Sequence, residues 1–351
     1  MSAQPTTDLY FRTACADLIA PRWGFSRARP VEQRGANTFV AGDWMIVVRG
    51  DKPALVAAAV AWPGRLAYVI DDDIAAAVGC DMLPAKYRAR LCAFGDAVHD
   101  PLLVRADAVL VPSAALARAL APRARPGAVR RIDPVWAAPL ADMAHHAPML
   151  AGGALKVVHL GSGSHAPALH ALAPALEALL AADPSVHVTY VAARMVSPGL
   201  EAHPHARRIE PKPWGEYRPW LMRQRFHLAL YPLLPTGFER ARSANKLIEH
   251  GIVGAVGVYA QGWEHGARLR GAALTAPADP ADWSAALARI VAERVRLPAL
   301  AARAAEALAD PIAPALAGAE DGWPPPAGAL VGTAAAARQR QLWCDLLGLP
   351  A

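Results

Sequence analysis

Four short stretches of this chain hold residue types from which a site could be built. The first is "ARSANKLIEHGIVGAVGVYA" at 241–260, where Lys246 and Glu249 stand three residues apart in a helix-forming run that gives way to an apolar one. That spacing puts a cation and an anion on one helix face, one turn apart. As a plain surface pair they would stabilise the helix by about 0.2–0.5 kcal/mol. As a site, the lysine would meet a phosphate and the carboxylate would accept hydrogen bonds from the hydroxyls of a ring. The helix reads as opening at Ser243, so its first N–H groups and partial positive charge would be open to an anion.

The second stretch is "GSGSH" at 161–165, between an apolar run and a helical one. Glycine lets backbone approach a phosphate closely, and the following helix supplies N–H donors. Ser162, Gly163, Ser164 and His165 are the candidates; the alternative is an ordinary strand–helix turn with Ser164 as N-cap. The stretch falls short of a full G-x-G-x-x-G, so it is weak as a dinucleotide signature. The third is "DDD" at 71–73. Neighbouring carboxylates suit a hard divalent cation, but an aspartate before "IAAAV" is also a good N-cap. The preferred reading is a cap, with Asp71 and Asp72 available to acceptor hydroxyls. The fourth is "MIVVRG", whose Arg49 ends a strand and could meet a phosphate. Lys212, in "EPKPWGEY", is a lesser candidate. His145 and His146 are adjacent, and two neighbouring histidines make no metal site without further ligands. His99 reads as a structural histidine.

Something must hold these stretches in place. "DWMIVVRG" (43–50), "RLAYVIDDD" (65–73) and "ADAVLVPS" (106–113) read as strands separated by helical runs. The alternation restarts with "LKVVHLGSGS", "SVHVTYVA", "FHLALYPL" and "GAVGVYA". Strand and helix in alternation imply an α/β fold with parallel sheets. The expected division is 1–140 as a first Rossmann-like domain, 141–154 as a linker, 155–325 as a second domain and 326–351 as a helix packing back on the first. The first 40 residues are the least legible; Thr7 could cap a helix through "DLYFRTACADLIA". Two doubly wound domains facing across a cleft would bind ligand beyond the carboxyl ends of their strands.

The 351 residues exceed one ordinary core, and 54% are hydrophobic against 19% charged, which excludes a disordered chain. A net charge of +6 and a pI near 9.3 suit an anionic ligand or an acidic membrane face. No basic stripe interleaved with aromatics appears, so nucleic acid is disfavoured. Cys15, Cys80, Cys92 and Cys344 form no CxxC pair and no zinc spacing. No signal peptide or membrane span is legible, so the expected location is the cytoplasm, including the inner membrane face.

The ordered set "LKVVHLGSGSH", "FHLALYPLLPTGFERARSANKLIEHGIVGAVGVYA" and "DWSAALARIVAE" resembles the carboxyl-terminal domain of GT-B glycosyltransferases of the group 1 kind, glycosyltransferase family 4. "YVIDDDI" and "ADAVLVPSAALARAL" resemble the amino-terminal domain more weakly. The resemblance implies a retaining, hexosyltransferase-like enzyme that uses a UDP-, GDP- or ADP-sugar as substrate, with no tightly bound cofactor and no metal. The acceptor would be a glycan, a lipid-linked group or a small molecule. It implies that Lys246 contacts the diphosphate and Glu249 the ribose, with Ser162, Gly163, Ser164, Arg242, Ser243 and Lys212 as further donor-binding residues. Glu239, His165 and Asp72 become the catalytic candidates, and Arg49 and Asp71 the acceptor-side ones. Where the family carries a glutamate eight positions before the ribose-binding one, this chain has Ala241. Alternatives are an inactive subunit that binds nucleotide sugar or glycan, and a nucleotide-sugar epimerase of the same architecture.

Overall fold

A computed structural model describes residues 4–20, 29–140, 142–161, 163–269, 271–309 and 329–350. The chain divides into two compact units. The first comprises 1–139, 241–244 and 311–351, and the second 140–240 and 245–310.

In the first unit six strands follow one another across the sheet in chain order. They are β1 (Val31–Gln33), β2 (Thr38–Ala41), β3 (Trp44–Val48), β4 (Arg65–Val69), β5 (Ala108–Val111) and β6 (Val129–Arg131). From β3 to β6 the pairing is parallel, whereas β1–β2 and β2–β3 are antiparallel. The strands β3 and β5 are buried along their whole length, as expected of parallel strands covered on both faces. Gly42, at φ +58°, sits in the two-residue turn joining β2 to β3, in the left-handed conformation that tight hairpin turns require. A meander therefore occupies the edge where a doubly wound domain would place further parallel strands.

The expected helix over residues 8–20 is much shorter. A single turn at Pro5–Thr7 runs into a π-helical turn at Asp8–Arg12, which presents Tyr10 and Phe11 inward. The helix Thr333–Leu347 belongs to the same unit and packs on that turn. Trp343 is fully buried, its ring edge-on to Phe11 at 4.8 Å and its Nε1–H donating to the Tyr10 carbonyl at 2.8 Å. Residues 310–328, which include the end of the expected 155–325 domain and the start of the expected 326–351 segment, lie outside the described residues.

The second unit holds β7 (Leu155–His159), β8 (Val186–Val191), β9 (Ala206–Ile209), β10 (Leu228–Tyr231), β11 (Val256–Ala260) and β12 (Leu274–Ala276). Their order across the sheet is β12-β11-β10-β7-β8-β9, and every pair is parallel. The first strand of the unit thus lies in the middle, beside the fourth, and the winding reverses between β7 and β10. Open α/β sheets bind ligands outside the carboxyl ends of the strands at such a reversal. The carboxyl ends there are His159 and Tyr231. The segment before β7, read as linker, contains one short helix, His146–Leu150.

Candidate donor site and a buried charge cluster

Apart from the exposed Lys156, the strand β7 is apolar until its last residue. His159 is 2% exposed, and neither ring nitrogen has a hydrogen-bond partner. The chain then turns through Gly161. A Cβ there would come within 2.4 Å of His159 Cε1 and 2.9 Å of His165 Cβ, so only glycine fits between the two imidazoles. Gly163, by contrast, faces open space. Residues Gly163–His165 form a single 3₁₀ turn, and the helix Ala166–Ala182 follows. The N-cap of that helix is His165 rather than Ser164, and its side chain makes no capping bond. Ser164 and His165 are both buried, with the His165 ring 5.5 Å from that of Tyr231. Ser162 lies outside the described residues.

The helix carrying Lys246 and Glu249 spans Asn245–Ile252, so it opens two residues later than its sequence suggests. Ser243 precedes it in non-helical backbone. The two side chains do meet on one face: Lys246 Nζ lies 2.7 Å from Glu249 Oε2. This is no solvated pair, because the side chains are only 11% and 13% exposed. The same carboxylate oxygen accepts a 2.7 Å hydrogen bond from the Tyr217 hydroxyl. Burial and the neighbouring Glu249 carboxylate hold the Tyr217 phenol well above its ordinary pKa, so it stays a donor.

Two imidazoles border this pair. His159 is pulled down to about 3, chiefly by burial and further by the Lys246 ammonium. His250 is held well below its ordinary value by burial, then by Lys246 and His159. Its Nδ1 is 3.0 Å from the Tyr259 hydroxyl, and its Nε2 has no partner. Both rings are therefore neutral near pH 7, and the positive charge at this spot resides on Lys246. The His250 ring, next to Glu249 on this helix, lies 6.4 Å from the ring of Tyr231, the last residue of β10, so the helix carrying the Lys246–Glu249 pair runs beside the carboxyl edge of the sheet at its point of reversal.

Glu239 sits on a one-turn helix, Gly237–Arg240, and is 3% exposed. Its N–H donates to Thr236 Oγ1 at 3.2 Å. Lys212 is exposed, ahead of the helix Trp214–Met222.

The remaining candidates belong to the first unit. Arg49 bridges Asp71 and Asp72 at 2.9 and 2.7 Å, and Arg242 reaches Asp72 at 3.2 Å. Thr6 donates to Asp71 at 2.7 Å. Arg49 is the one non-glycine residue at positive φ (61°) among those described, a conformation that costs roughly 1–2 kcal/mol and is held here by its two ion pairs. Burial would raise the Asp72 pKa, but Arg49 and Arg242 outweigh it and keep that carboxyl below its usual range. Asp71 is pushed up, by burial first and against the pull of Arg49, with Asp72 adding to the rise. The helix cap in this motif is the third aspartate: Asp73 accepts from the Ala76 N–H at 3.0 Å. Ala241 is buried in the first unit's apolar core, with its carbonyl accepting from Ser113 Oγ at 2.8 Å. His99 is fully buried with Nδ1 3.0 Å from the Tyr68 hydroxyl, a structural arrangement.

Among the described residues, one group has metal-ligand spacing: His145, His146 and His227, with ring nitrogens within 4.8 Å of one another. The sequence pairs the first two; the third arrives from the residue before β10. Their hydrogen bonds fix the tautomers. Nε2 of His145 faces the Phe226 carbonyl at 2.8 Å and Nε2 of His146 the Gly254 carbonyl at 3.0 Å, so each nitrogen carries the proton. His227 accepts from the Lys156 N–H at 2.8 Å and gives its other nitrogen to the His145 carbonyl at 3.0 Å. Burial chiefly lowers the pKa of His145 and His227, and the positive charges of Arg225 and Lys156 add to the lowering. A cation entering here would meet like charge and would have to break a backbone bond to recruit His227. The trio fastens the segment before β7 to the sheet.

Sequence reading missed Tyr217, His159 and His250. A histidine directly after the apolar pair Val157–Val158 is the only signal for His159, and nothing in "WGEYRPW" ties Tyr217 to a residue 32 positions away.

No family model matches the chain, and no curated protein does. Solved structures do. The sucrose-phosphate synthase of Thermosynechococcus elongatus superposes with a TM-score of 0.54 at 14% identity, covering 81% of this chain and 68% of that one. HepE of Anabaena, solved in complex with UDP and glucose, gives 0.53 at 13% identity, covering 86% and 77%. The fold is that of the GT-B glycosyltransferases: α/β, with two sheets dominated by parallel strands. No helix among the described residues is long and apolar enough to cross a membrane.

Proposed function

We infer that the second unit binds a nucleotide sugar and that the protein is a glycosyltransferase. The observation that carries this reading is the buried Lys246–Glu249–Tyr217 group near the carboxyl edge of β7, where the sheet reverses. A lysine beside neutral imidazoles supplies a compact positive charge to a diphosphate. Glu249, already accepting two hydrogen bonds on one oxygen, keeps lone pairs for a cis-diol. The turn at Gly163–His165, open at Gly163, lets backbone approach a phosphate. HepE, which shares the fold, has been solved with UDP and glucose, and that supports a uridine nucleotide as the first donor to try.

In this reading Lys246 and the backbone of the 163–165 turn stabilise the departing nucleoside diphosphate, a preorganised electrostatic role. Glu239 and His165 are the groups assigned to the transferred sugar. Asp72, kept ionised by two guanidinium groups, is suited to accept a hydrogen bond from an acceptor hydroxyl and not to donate a proton. Transfer with retention of configuration, a glycan, lipid-linked or small-molecule acceptor, and a cytoplasmic location complete the proposal.

A second reading is a protein that binds the donor without turning it over. Ala241 favours it, since this position presents a methyl group to an apolar core where a transferase of the resembled kind carries a carboxylate. Release of nucleoside diphosphate from UDP-glucose, GDP-mannose or ADP-glucose, followed by mass spectrometry of added acceptors, separates the two. The transferase reading expects turnover that Glu239→Gln reduces at least tenfold with donor affinity kept. Tight binding with no release or transfer from any bound donor would favour the second reading.

A further inference from the structure

The second unit has a pocket of about 640 Å³ remote from the Lys246 group. It opens on one face of the sheet, near the amino ends of β7 and β8. Lys156 and His187 are paired across the two strands, each the second residue of its strand. Thr189, two residues on from His187, is paired with Arg207 on β9. Alternation along a strand brings all four side chains to the same face. The burial pattern agrees. Val186, Val188 and Tyr190 are buried while His187 is exposed and Thr189 half-buried between them. A sheet face that a doubly wound fold would cover with a helix is here polar and open; Trp220 from the end of the helix Trp214–Met222 and Arg223 and Arg225 from the segment after it wall the pocket.

Charge is what sets this pocket apart. Lys156, Arg207, Arg223 and Arg225 line it, with His187 and His205, and no carboxylate is among the lining residues. None of the four cations takes part in an ion pair among the described residues, although arginines elsewhere in the unit do: Arg208, one position from Arg207, is paired with Glu201 at 3.1 Å. Four positive charges gathered without a counter-charge repel one another, which destabilises the fold unless something offsets it. The field shows in His187, held below its ordinary pKa by partial burial first and then by His205 and Lys156. His205 stacks on His187 at 4.4 Å, and its Nδ1 is buried without a partner. Beside these groups Trp220 offers an apolar ring face.

We propose that this pocket is a second, phosphate-binding site, which takes a phosphate or diphosphate carried on a sugar-sized group. Arginine forks match phosphate oxygens in pairs. Indole and the arginine stems suit the apolar face of a ring. The site is distinct from the Lys246 group. Lys156 stands three residues before His159 on β7, roughly 10 Å along the strand at about 3.3 Å per residue, and no residue of one group is shared with the other. It therefore stands or falls independently of the donor reading. The same phosphate chemistry could come from a soluble sugar phosphate or from the headgroup of an anionic lipid, and the test distinguishes them.

The experiment is calorimetry with glucose 6-phosphate and inorganic pyrophosphate, and co-sedimentation with phosphatidylglycerol and with phosphatidylcholine vesicles. The full chain is used as wild type, Arg207→Glu/Arg223→Glu and Lys246→Ala. Arg207 and Arg223 are exposed, so the double variant is expected to fold, and circular dichroism checks it. Arg207→Gln/Arg223→Gln replaces it if it does not. Binding of a soluble phosphate by wild type and by Lys246→Ala, at least tenfold weaker in the double variant, supports the site with a soluble ligand. Sedimentation with phosphatidylglycerol but not phosphatidylcholine, lost in the double variant, supports it with a lipid headgroup. No binding of any probe, binding unchanged in the double variant, or binding lost only in Lys246→Ala overturns the proposal.

Discussion

The buried imidazoles of the second unit make its stability a function of pH, and the size of the effect follows from their surroundings. His159 and His250 are 2% and 1% exposed, and both are held neutral. An unfolded histidine titrates near about 6.5. Below that pH the unfolded chain takes up protons that the folded chain does not, so stability is fully present above about 6.5 and is lost as pH falls towards the folded values. For His159, with a folded pKa of about 3, lowering pH from 7 to 5 removes about 2 kcal/mol. His250 is shifted in the same direction, so it adds to that loss, which falls on an ordinary domain's stability of about 5–15 kcal/mol. The assay is urea unfolding at pH 7 and pH 5 of wild type and His159→Phe. Phenylalanine keeps the ring and removes two nitrogens that have no partner. The variant is expected to be no less stable at pH 7 and to lose about 2 kcal/mol less than wild type on going to pH 5. An equal loss in both proteins would mean that His159 is not held neutral by burial.

Three further outcomes follow from the contacts. Arg49→Ala leaves Asp71 and Asp72 buried side by side without their shared cation, and is expected to cost the first unit about 3–5 kcal/mol in urea unfolding. Tyr217→Phe removes the hydroxyl that donates to Glu249 and is expected to cost about 1.5–3 kcal/mol, with Glu249→Gln in the same chain recovering part of it in a double-mutant cycle. Trp343→Ala opens a cavity against Phe11 and removes the indole donor to the Tyr10 carbonyl; a loss of about 3–5 kcal/mol is expected by thermal or urea unfolding.

Much of the second unit was legible because its strands announce themselves. β10 and β11 are continuous apolar runs, and parallel strands buried on both faces must be so. The Lys246–Glu249 spacing was readable for the same local reason: helix geometry alone makes those side chains neighbours. What long-range packing decides was not readable. The sequence "VEQ" of β1 has no strand pattern of its own, and becomes a strand only through pairing with β2. The first helix gives way after one turn to a π-helical turn on which Trp343 packs from the far end of the chain. Arg49 and the aspartates are 22 and 23 residues apart, so their union depends on β3 lying beside β4. The helix start shifted from Ser243 to Asn245 because Ala241–Ala244 packs with the first unit. His227 joined His145 and His146 through the sheet, across more than 80 positions.

Calorimetric titration of UDP, GDP, ADP and their common sugar conjugates into wild type and Lys246→Ala tests whether the Lys246 group receives a nucleoside diphosphate. One nucleotide is expected to bind wild type, and Lys246→Ala to bind it at least tenfold more weakly, about 1.4 kcal/mol. Binding of no nucleotide, or binding that Lys246→Ala leaves unchanged, would contradict it.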